Sequence, residues 1–251
     1  MNGEAFVETT LNFASPDLRG FRAPGGYTQQ HGRLQSGERM RPGAQTVPLF
    51  NARLLDPPPT LQTHGFQLIS HEAIPWDLQD MDVVRSEFYP WCRKMIQQAT
   101  GCDEVRGGSN EYRRTPGLPT PNGSGGGYAS GIHSDMSPGI ELGWQPGQDD
   151  RHFESINVWR TAENDYDIEM MPLCVCAMDT MGVDDVVFGD GQNTGDIRMY
   201  YKLVDERCCY SPTQRWYYFP RMTPTETLIF RQCVSTLLTR ISSAAAAALH
   251  P

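Results

Sequence analysis

The sequence predicts a mainly β protein with flanking helices, built as a β-sandwich or a jelly roll. Short segments rich in apolar, β-branched and aromatic residues recur through the second half of the chain. Turn residues separate them, and the 251-residue chain contains 24 glycines and 19 prolines. Residues 80–100 form the one segment with clear helical periodicity. This order of elements favours short antiparallel strands over a parallel sheet with alternating helices.

The first 48 residues are rich in Gly, Pro, Gln and Arg, and we expect an extended arm with one short strand at residues 5–13. Residues 49–251 are predicted to form the main domain. Three consecutive prolines at 57–59 indicate a stiff connector near its start. A strand is then expected at residues 65–69.

Residues 80–100 are predicted to form a helix. Asp80 and Asp82 suit its N-terminus, and Gly101 suits the position just past its C-terminus. Apolar residues recur along the segment at helical spacing. Pro90 has no amide hydrogen to donate, so it should kink or split the helix. We expect this helix to brace a sheet rather than to carry a functional site.

The rest of the chain is predicted to consist of strands and loops. Residues 115–130 and 137–150 are glycine- and proline-rich loops. The first lacks the Lys and the following helix of a phosphate-binding loop. Strands are expected at residues 104–114, 153–160, 172–179, 197–203, 207–210, 215–220 and 227–233.

The charge of the chain restricts its partners. It has 21 Lys and Arg against 30 Asp and Glu, a formal net charge of −9. Nucleic-acid binding requires a basic surface, so no nucleic-acid partner is expected, and an anionic membrane is disfavoured as well. The sequence has no signal peptide and no apolar run of about 18 residues. We therefore expect a soluble cytoplasmic protein.

The chain contains seven cysteines, an odd number. Free thiols in a reducing compartment explain that number better than a disulfide framework does. Cys174 and Cys176, and the adjacent Cys208 and Cys209, lack the spacing of paired zinc ligands. We expect cysteines buried in strands, where they behave as small apolar side chains.

The candidate functional residues centre on His133 and Asp135, which are separated by one serine. In an extended strand both side chains point to the same face. An imidazole beside a carboxylate supplies two of the three protein ligands that bind non-haem Fe(II), with positions left for O2 and substrate. The tripeptide is common, so alone it predicts a metal site only weakly.

Other short motifs strengthen this prediction. The most specific are Asn-Val-Trp-Arg at 157–160 and Arg-Trp-Tyr-Tyr at 215–218. Further segments lie at residues 11–13, 64–68, 84–85, 89–90, 99–101, 113–114, 133–135, 172–173, 222–224, 226 and 230. Together, in order and over most of the chain, they resemble the fungal hydroxylase/desaturase family of secondary-metabolite gene clusters, which is related to the bacterial CmcJ-like proteins.

The resemblance implies a double-stranded β-helix (jelly-roll) fold. It also implies Fe(II)-dependent oxidation, usually with 2-oxoglutarate, of a small natural product by hydroxylation or desaturation. His133 and Asp135 would then be iron ligands. The family's third ligand is a histidine after the last strong strand. That position falls on Ala244, or His250 fills the role after a slipped loop.

The family also has an arginine beyond that histidine for the 2-oxoglutarate carboxylate. No arginine follows Arg240 in this chain, so the domain is expected to be shortened at its C-terminus. Arg160 and Arg231 are the candidate replacements. The alternative interpretation is that each is an ordinary surface or ion-paired strand arginine.

Two functions of different classes follow. The first is a mononuclear non-haem iron oxygenase acting on a small-molecule natural product. The second is a relative that keeps the jelly-roll pocket but binds a small molecule without turnover, as an accessory protein. A hydrolase has little support, because the chain has no Gly-x-Ser-x-Gly nucleophile motif.

Overall fold

The described residues of the computed structural model form three β-sheets, one longer helical segment and short 3-10 helices. The residues it describes are 4–14, 16, 19, 43–108, 110, 112–113, 132–134, 154–187 and 206–234. Ten strands lie within these ranges. The prediction of a mainly β fold is therefore confirmed, and the predicted strand at 197–203 lies outside the described residues.

The first sheet contains four strands in the order β1, β2, β9, β6. In that order, their bounds are Phe6–Phe13, Gly43–Asn51, Trp216–Tyr218 and Cys174–Cys176. β2 pairs parallel with β9, and the other two pairings are antiparallel. β2 runs across residue 48, so the segment predicted as an arm supplies β1 and most of β2 to this sheet.

The second sheet contains β3 (Phe66–Ser70), β10 (Glu226–Val234) and β5 (Glu154–Trp159), with β10 in the centre. Both pairings are antiparallel, and the register of β10 against β5 shifts between Arg231 and Cys233. The strands predicted at 65–69, 153–160 and 227–233 are confirmed within one or two residues.

The third sheet is much smaller. It contains β4 (His133–Ser134), β8 (Glu206–Cys208) and β7 (Val186–Val187), with β8 in the centre and both pairings antiparallel. Two backbone hydrogen bonds of 2.8 Å, from Ala14 N to Cys208 O and from Ile132 N to Asn12 O, join this sheet to β1.

The predicted helix is present with an interruption. It comprises α1 (Met81–Val83), a π-helical turn (Val84–Phe88) and α2 (Tyr89–Thr100). Asp80 caps the N-terminus by accepting bonds from two backbone amides, and Gly101 ends the helix with a left-handed φ of 71°. The π turn immediately precedes Pro90, which has no N–H to continue the regular pattern.

Three short 3-10 helices complete the described elements: Ala52–Leu54, Met178–Thr180 and Val183–Asp185. The second of them shortens a predicted element. The strand predicted at 172–179 is restricted to Cys174–Cys176, because the chain turns into the 3-10 helix just beyond it.

The core consists of apolar clusters on both sides of the larger sheets. Between the first and second sheets lie Phe66, Val175, Phe219, Met222 and Leu228. Between the first and third sheets lie Phe13, Val47, Leu49, Cys208, Trp216 and Tyr218. On the other face of the second sheet, α2 packs Met95 and Trp91 against Ile156, Val158 and Ile229. The helix is therefore a brace, as predicted.

The strand predicted at 104–114 is wrong for the part of it that the structure describes, since residues 104–108, 110 and 112–113 are irregular. Side chains hold this segment on the helical region instead. The Tyr112 hydroxyl donates to the Leu78 carbonyl, and the Tyr89 hydroxyl donates to Asn110 Oδ1 at 2.6 Å. These tertiary contacts outweigh a loose alternation of residue types.

Six of the seven cysteines have side chains that the structure describes, and all six are free thiols. Burial raises the pKa of the Cys174 thiol to about 11 and that of Cys176 to about 12. Such thiols stay protonated and unreactive near neutral pH. The expectation of free strand cysteines is confirmed for Cys174, Cys176 and Cys208. Within the described ranges, no helix has the length and apolar character to cross a membrane.

Candidate active site

His133 lies in β4, where its backbone pairs with Arg207 of β8. The preceding residue, Ile132, packs against the cluster of Phe13 and Trp216 between the first and third sheets. Because successive strand side chains alternate, His133 points away from that cluster. The imidazole is half-buried. The strand predicted to carry a metal ligand is thus present, and backbone contacts on two sides hold it.

Asp135 and His250, the other two predicted iron ligands, lie outside the described residues. In the part of the chain that is described, no three His, Cys, Asp or Glu side chains lie together as metal ligands would. The assignment of these three residues stays a prediction. Its chemical basis is the donor set, because two imidazoles and one carboxylate are the ligands that non-haem Fe(II) takes.

The nitrogens of His71 already have protein partners. Its Nδ1 lies 2.7 Å from the Glu72 carbonyl, and its Nε2 lies 2.9 Å from the Thr227 hydroxyl. Both ring nitrogens are therefore occupied, so His71 is a natural control for tests of metal binding.

Arg231, one of the two arginines predicted to bind 2-oxoglutarate, forms a bidentate ion pair with Glu154. The two nitrogen–oxygen distances are 2.9 Å and 2.8 Å, and the two side chains are 14% and 18% exposed. A third donor, Nη1, is bonded to the Leu61 carbonyl. The guanidinium is on the helix-covered face of the second sheet, like Ile229 two residues before it.

Arg160, the other candidate, follows β5 and is held by backbone carbonyls. Its Nε donates to Thr161 O at 3.0 Å and its Nη2 to Pro224 O at 2.9 Å. Its Nη1 is buried and has no hydrogen-bond partner among the described residues. Burial lowers the pKa of this guanidinium to about 10, an effect partly offset by Cys92 of α2. Arg160 remains charged near pH 7 and lies on the same side of β5 as Ile156 and Val158, close to Cys92 of α2.

The opposite face of β5 includes two residues of the Asn-Val-Trp-Arg motif, Asn157 and Trp159. Ile156 and Val158 pack under α2, so Ser155, Asn157 and Trp159 point toward the interior between the first two sheets. Leu228 and Phe230 of β10 share that interior face. Alternation indicates that two faces exist, but only the packing of α2 identifies the interior one.

Aromatic side chains line one side of the first sheet. The Tyr217 ring lies 5.8 Å from the ring of Phe50 and 5.6 Å from that of Phe66, measured between centroids. An open groove of about 260 Å³ runs beside them, lined by Ala5, Phe50, Asn51, Leu54, Leu55, Arg215 and Tyr217. Trp216 and Tyr218 are buried on the other face, so the side chains of this motif alternate between the two faces of the sheet.

A family model described as the oxidoreductase/YMDC permease-like domain matches residues 11–250. The chain belongs to this family. The match covers nearly the whole sequence and includes every described strand except the first part of β1. The family membership expected from the short motifs is thereby confirmed at the level of an oxidoreductase-like domain.

Individual relatives agree with this membership. The chain is 25% identical over 186 residues to the alpha-ketoglutarate-dependent dioxygenase phiK of Fungal sp. (strain ATCC 74256), a match that covers 68% of this chain and 64% of that protein. The chain therefore spans less than two thirds of that relative's length.

Solved structures show a similar fold. A variant of the iron and alpha-ketoglutarate-dependent endoperoxidase NvfI superposes with a TM-score of 0.71 and 20% identity, covering 93% of this chain and 85% of the other. Another NvfI structure gives a TM-score of 0.67 and 21% identity, with coverages of 92% and 85%. At these identities the likeness concerns the fold alone, and it confirms the predicted double-stranded β-helix.

Proposed function

We propose that this chain is an Fe(II)- and 2-oxoglutarate-dependent oxygenase that hydroxylates or desaturates a small-molecule natural product. The observation that supports this most strongly is the position of His133 in a strand held by β8 and β1, within the fold shared with iron and alpha-ketoglutarate-dependent enzymes. The name of the fungal relative supports the same chemistry.

Three residues would hold the iron in this proposal: His133, Asp135 and His250. When bound, iron and 2-oxoglutarate supply the oxidising chemistry with O2, and the protein positions the target carbon. Arg160 is the better candidate for the 2-oxoglutarate carboxylate, since its Nη1 is buried without a partner among the described residues. Arg231 is the weaker candidate, because Glu154 already neutralises it.

The proposed protein has one jelly-roll domain, residues 49–251, preceded by the segment 1–48, which supplies two strands to its first sheet. Free strand thiols support a reducing compartment such as the cytoplasm. The net charge of −9 supports a small-molecule partner rather than nucleic acid.

Anaerobic Fe(II) binding tests the proposal. We expect wild-type protein to bind one Fe(II), and each of His133→Ala, Asp135→Ala and His250→Ala to weaken binding strongly. His71→Ala is the matched control, because both of its ring nitrogens are bonded within the protein, and it should bind Fe(II) like wild type. A wild-type protein that binds no Fe(II) at tens of micromolar would contradict the oxygenase and favour the accessory binding protein.

If His133→Ala and Asp135→Ala lose Fe(II) but His250→Ala does not, His250 is not the third ligand. That outcome would favour the alignment in which the family's histidine position falls on Ala244. The set of variants therefore also decides between the two alignments of the C-terminal segment.

A further inference from the structure

A buried residue, Asp185, connects three separate parts of the chain. The residue is 2% exposed. Its Oδ1 accepts a hydrogen bond from Arg19 Nη1, and its Oδ2 accepts from Gly182 N at 2.9 Å and from Gln214 Nε2 at 3.2 Å. Its backbone carbonyl accepts from Cys209 N at 2.7 Å. Arg19, Asp185 and Gln214 are called the Asp185 hub from here on.

The hydrogen bonds of the hub fix the orientation of the Gln214 amide. The Gln214 amide nitrogen has two hydrogens and meets two oxygen acceptors, Asp185 Oδ2 and, at 2.9 Å, Cys209 O. Turning the amide over would place its oxygen against both acceptors. Arg19 also donates to the Tyr210 carbonyl from its second terminal nitrogen. Arg19 and Gln214 thus each connect the Asp185 carboxylate to a backbone carbonyl just after β8.

The hub lies directly before β7, in the sheet that contains His133. Val186, the residue after Asp185, begins β7 and pairs with Cys208, and Val187 pairs with Arg207. Arg207 in turn pairs with His133. The backbone bond from Cys209 N to Asp185 O closes the end of β8 against the residue before β7.

Within the described residues this sheet is short, since β4 and β7 each contain two residues and β8 contains three. A sheet with few ladder hydrogen bonds depends on tertiary contacts. Here the backbone bonds to β1, the packing of Cys208 and the bonds of the hub supply such contacts. The Asp185 carboxylate is buried and accepts three hydrogen bonds, and it holds these partners firmly because a buried charge left unpaired is costly.

We propose that the Asp185 hub positions His133. It holds β7 and the end of β8 in place, and through them the register of β4. Asp185, Arg19 and Gln214 would be positioning residues, acting on the metal site through the β7–β8–β4 ladder. The inference about iron affinity rests on the proposed function, whereas the inference about the order of β4 does not.

The test compares two ion pairs of similar chemistry. Asp185→Asn removes the hub's charge, and Glu226→Gln removes the charge of the Arg53–Glu226 pair, which joins the first and second sheets instead. In Asp185→Asn we expect Fe(II) binding to weaken about tenfold or more, as when contacts that orient a ligand are removed. Glu226→Gln should bind Fe(II) like wild type. Arg19→Lys keeps the charge and should retain most of the affinity, whereas Arg19→Met should not.

Amide hydrogen exchange provides a second measurement that does not depend on iron. A peptide containing residues 132–134 should exchange faster in Asp185→Asn and Arg19→Met than in wild type, but not in Glu226→Gln. Arg19→Met keeps Asp185 and serves if Asp185→Asn does not fold. Unchanged exchange in this peptide overturns the positioning role, whatever the iron result.

The two proposals fail in different ways. If wild type binds no Fe(II), the oxygenase is contradicted and the exchange data alone decide the role of the hub. If wild type binds Fe(II), and Asp185→Asn binds it equally well and exchanges at the same rate, the hub is overturned and the oxygenase stands.

Discussion

The second and third sheets are held in place by different combinations of contacts. The second has a nine-residue central strand, β10, between two strands of five and six residues, and a helix covers one of its faces. In the described residues the third has strands of two and three residues, and a buried carboxylate network is bonded to its end. The second sheet depends mainly on packing, whereas the third combines an apolar cluster around Cys208 with this polar network. The proposed iron ligand His133 lies in the third sheet.

Substitutions in the two sheets should therefore have different effects. The contacts of the second sheet are spread over many atoms of the domain core, so losing them acts on the stability of the whole domain. A polar network depends on each of its members, because a partner left unpaired in the interior is costly. Variants in the second sheet should therefore alter global stability, and variants in the hub should alter the metal site.

The largest effect on stability is expected for Phe66→Ala in β3. Phe66 is fully buried and contacts the rings of Tyr217 and Phe219. The cavity and the lost burial should lower the free energy of unfolding by about 3–5 kcal/mol, measured by urea denaturation. Phe6→Ala, at a phenylalanine that is 49% exposed, is the matched control and should cost under about 1 kcal/mol. Equal losses in both variants would mean that the second sheet is not the main source of stability.

A smaller but still large effect is expected for Arg231→Met, which removes the bidentate partner of the part-buried Glu154. We expect a loss of about 3 kcal/mol in the free energy of unfolding. The double variant Arg231→Met/Glu154→Leu removes both charges and should recover most of that loss. Because we expect the Arg231–Glu154 pair to stabilise the fold and not to contact 2-oxoglutarate, the double variant should bind 2-oxoglutarate like wild type. Loss of 2-oxoglutarate binding in the double variant would show that Arg231 holds the cosubstrate.

The smallest effect concerns the pH dependence of Glu226. Burial would raise the pKa of this carboxyl, but hydrogen bonds from Arg53 and from the Thr223 amide, with the Arg53 charge, outweigh burial and lower the pKa below its ordinary 4.5. A carboxyl with a depressed pKa stabilises the fold above its unfolded-state pKa, and that contribution is lost as the pH falls through the folded-state pKa. The stability difference between wild type and Glu226→Gln should therefore be largest near neutral pH and shrink below pH 4.5, as followed by urea midpoints. A difference that stays constant with pH would contradict the ionised pair.

The same contrast explains how much of the structure could be predicted from the sequence. Strands β3, β5 and β10 and the helix at 80–100 follow from local alternation, helical periodicity and caps such as Asp80 and Gly101. The hub joins Arg19 to Asp185 across 166 positions of sequence. No local pattern marks such a pair, and neither residue was among the candidates.

In the candidate site, too, the strands could be predicted from the sequence but the tertiary contacts could not. His133 was correctly placed in an extended segment by its surroundings, and Arg231 in a strong strand. The direction in which Arg231 points was not predictable, because it depends on which face of the sheet α2 covers. Residues 104–114 were wrongly predicted as a strand because their residue types alternate loosely. The tertiary contact of Tyr112 that holds this segment on the helical region has no local sequence pattern.

The most direct test of the proposed function is an anaerobic titration of the Fe(II)-loaded protein with 2-oxoglutarate, followed by its visible charge-transfer absorption. We predict a saturable absorption in wild type and in His71→Ala, its loss in His133→Ala, and a higher 2-oxoglutarate requirement in Arg160→Met. Absence of the absorption in wild type, together with no Fe(II)-dependent binding of 2-oxoglutarate by calorimetry, would contradict the assignment of this chain as an iron oxygenase.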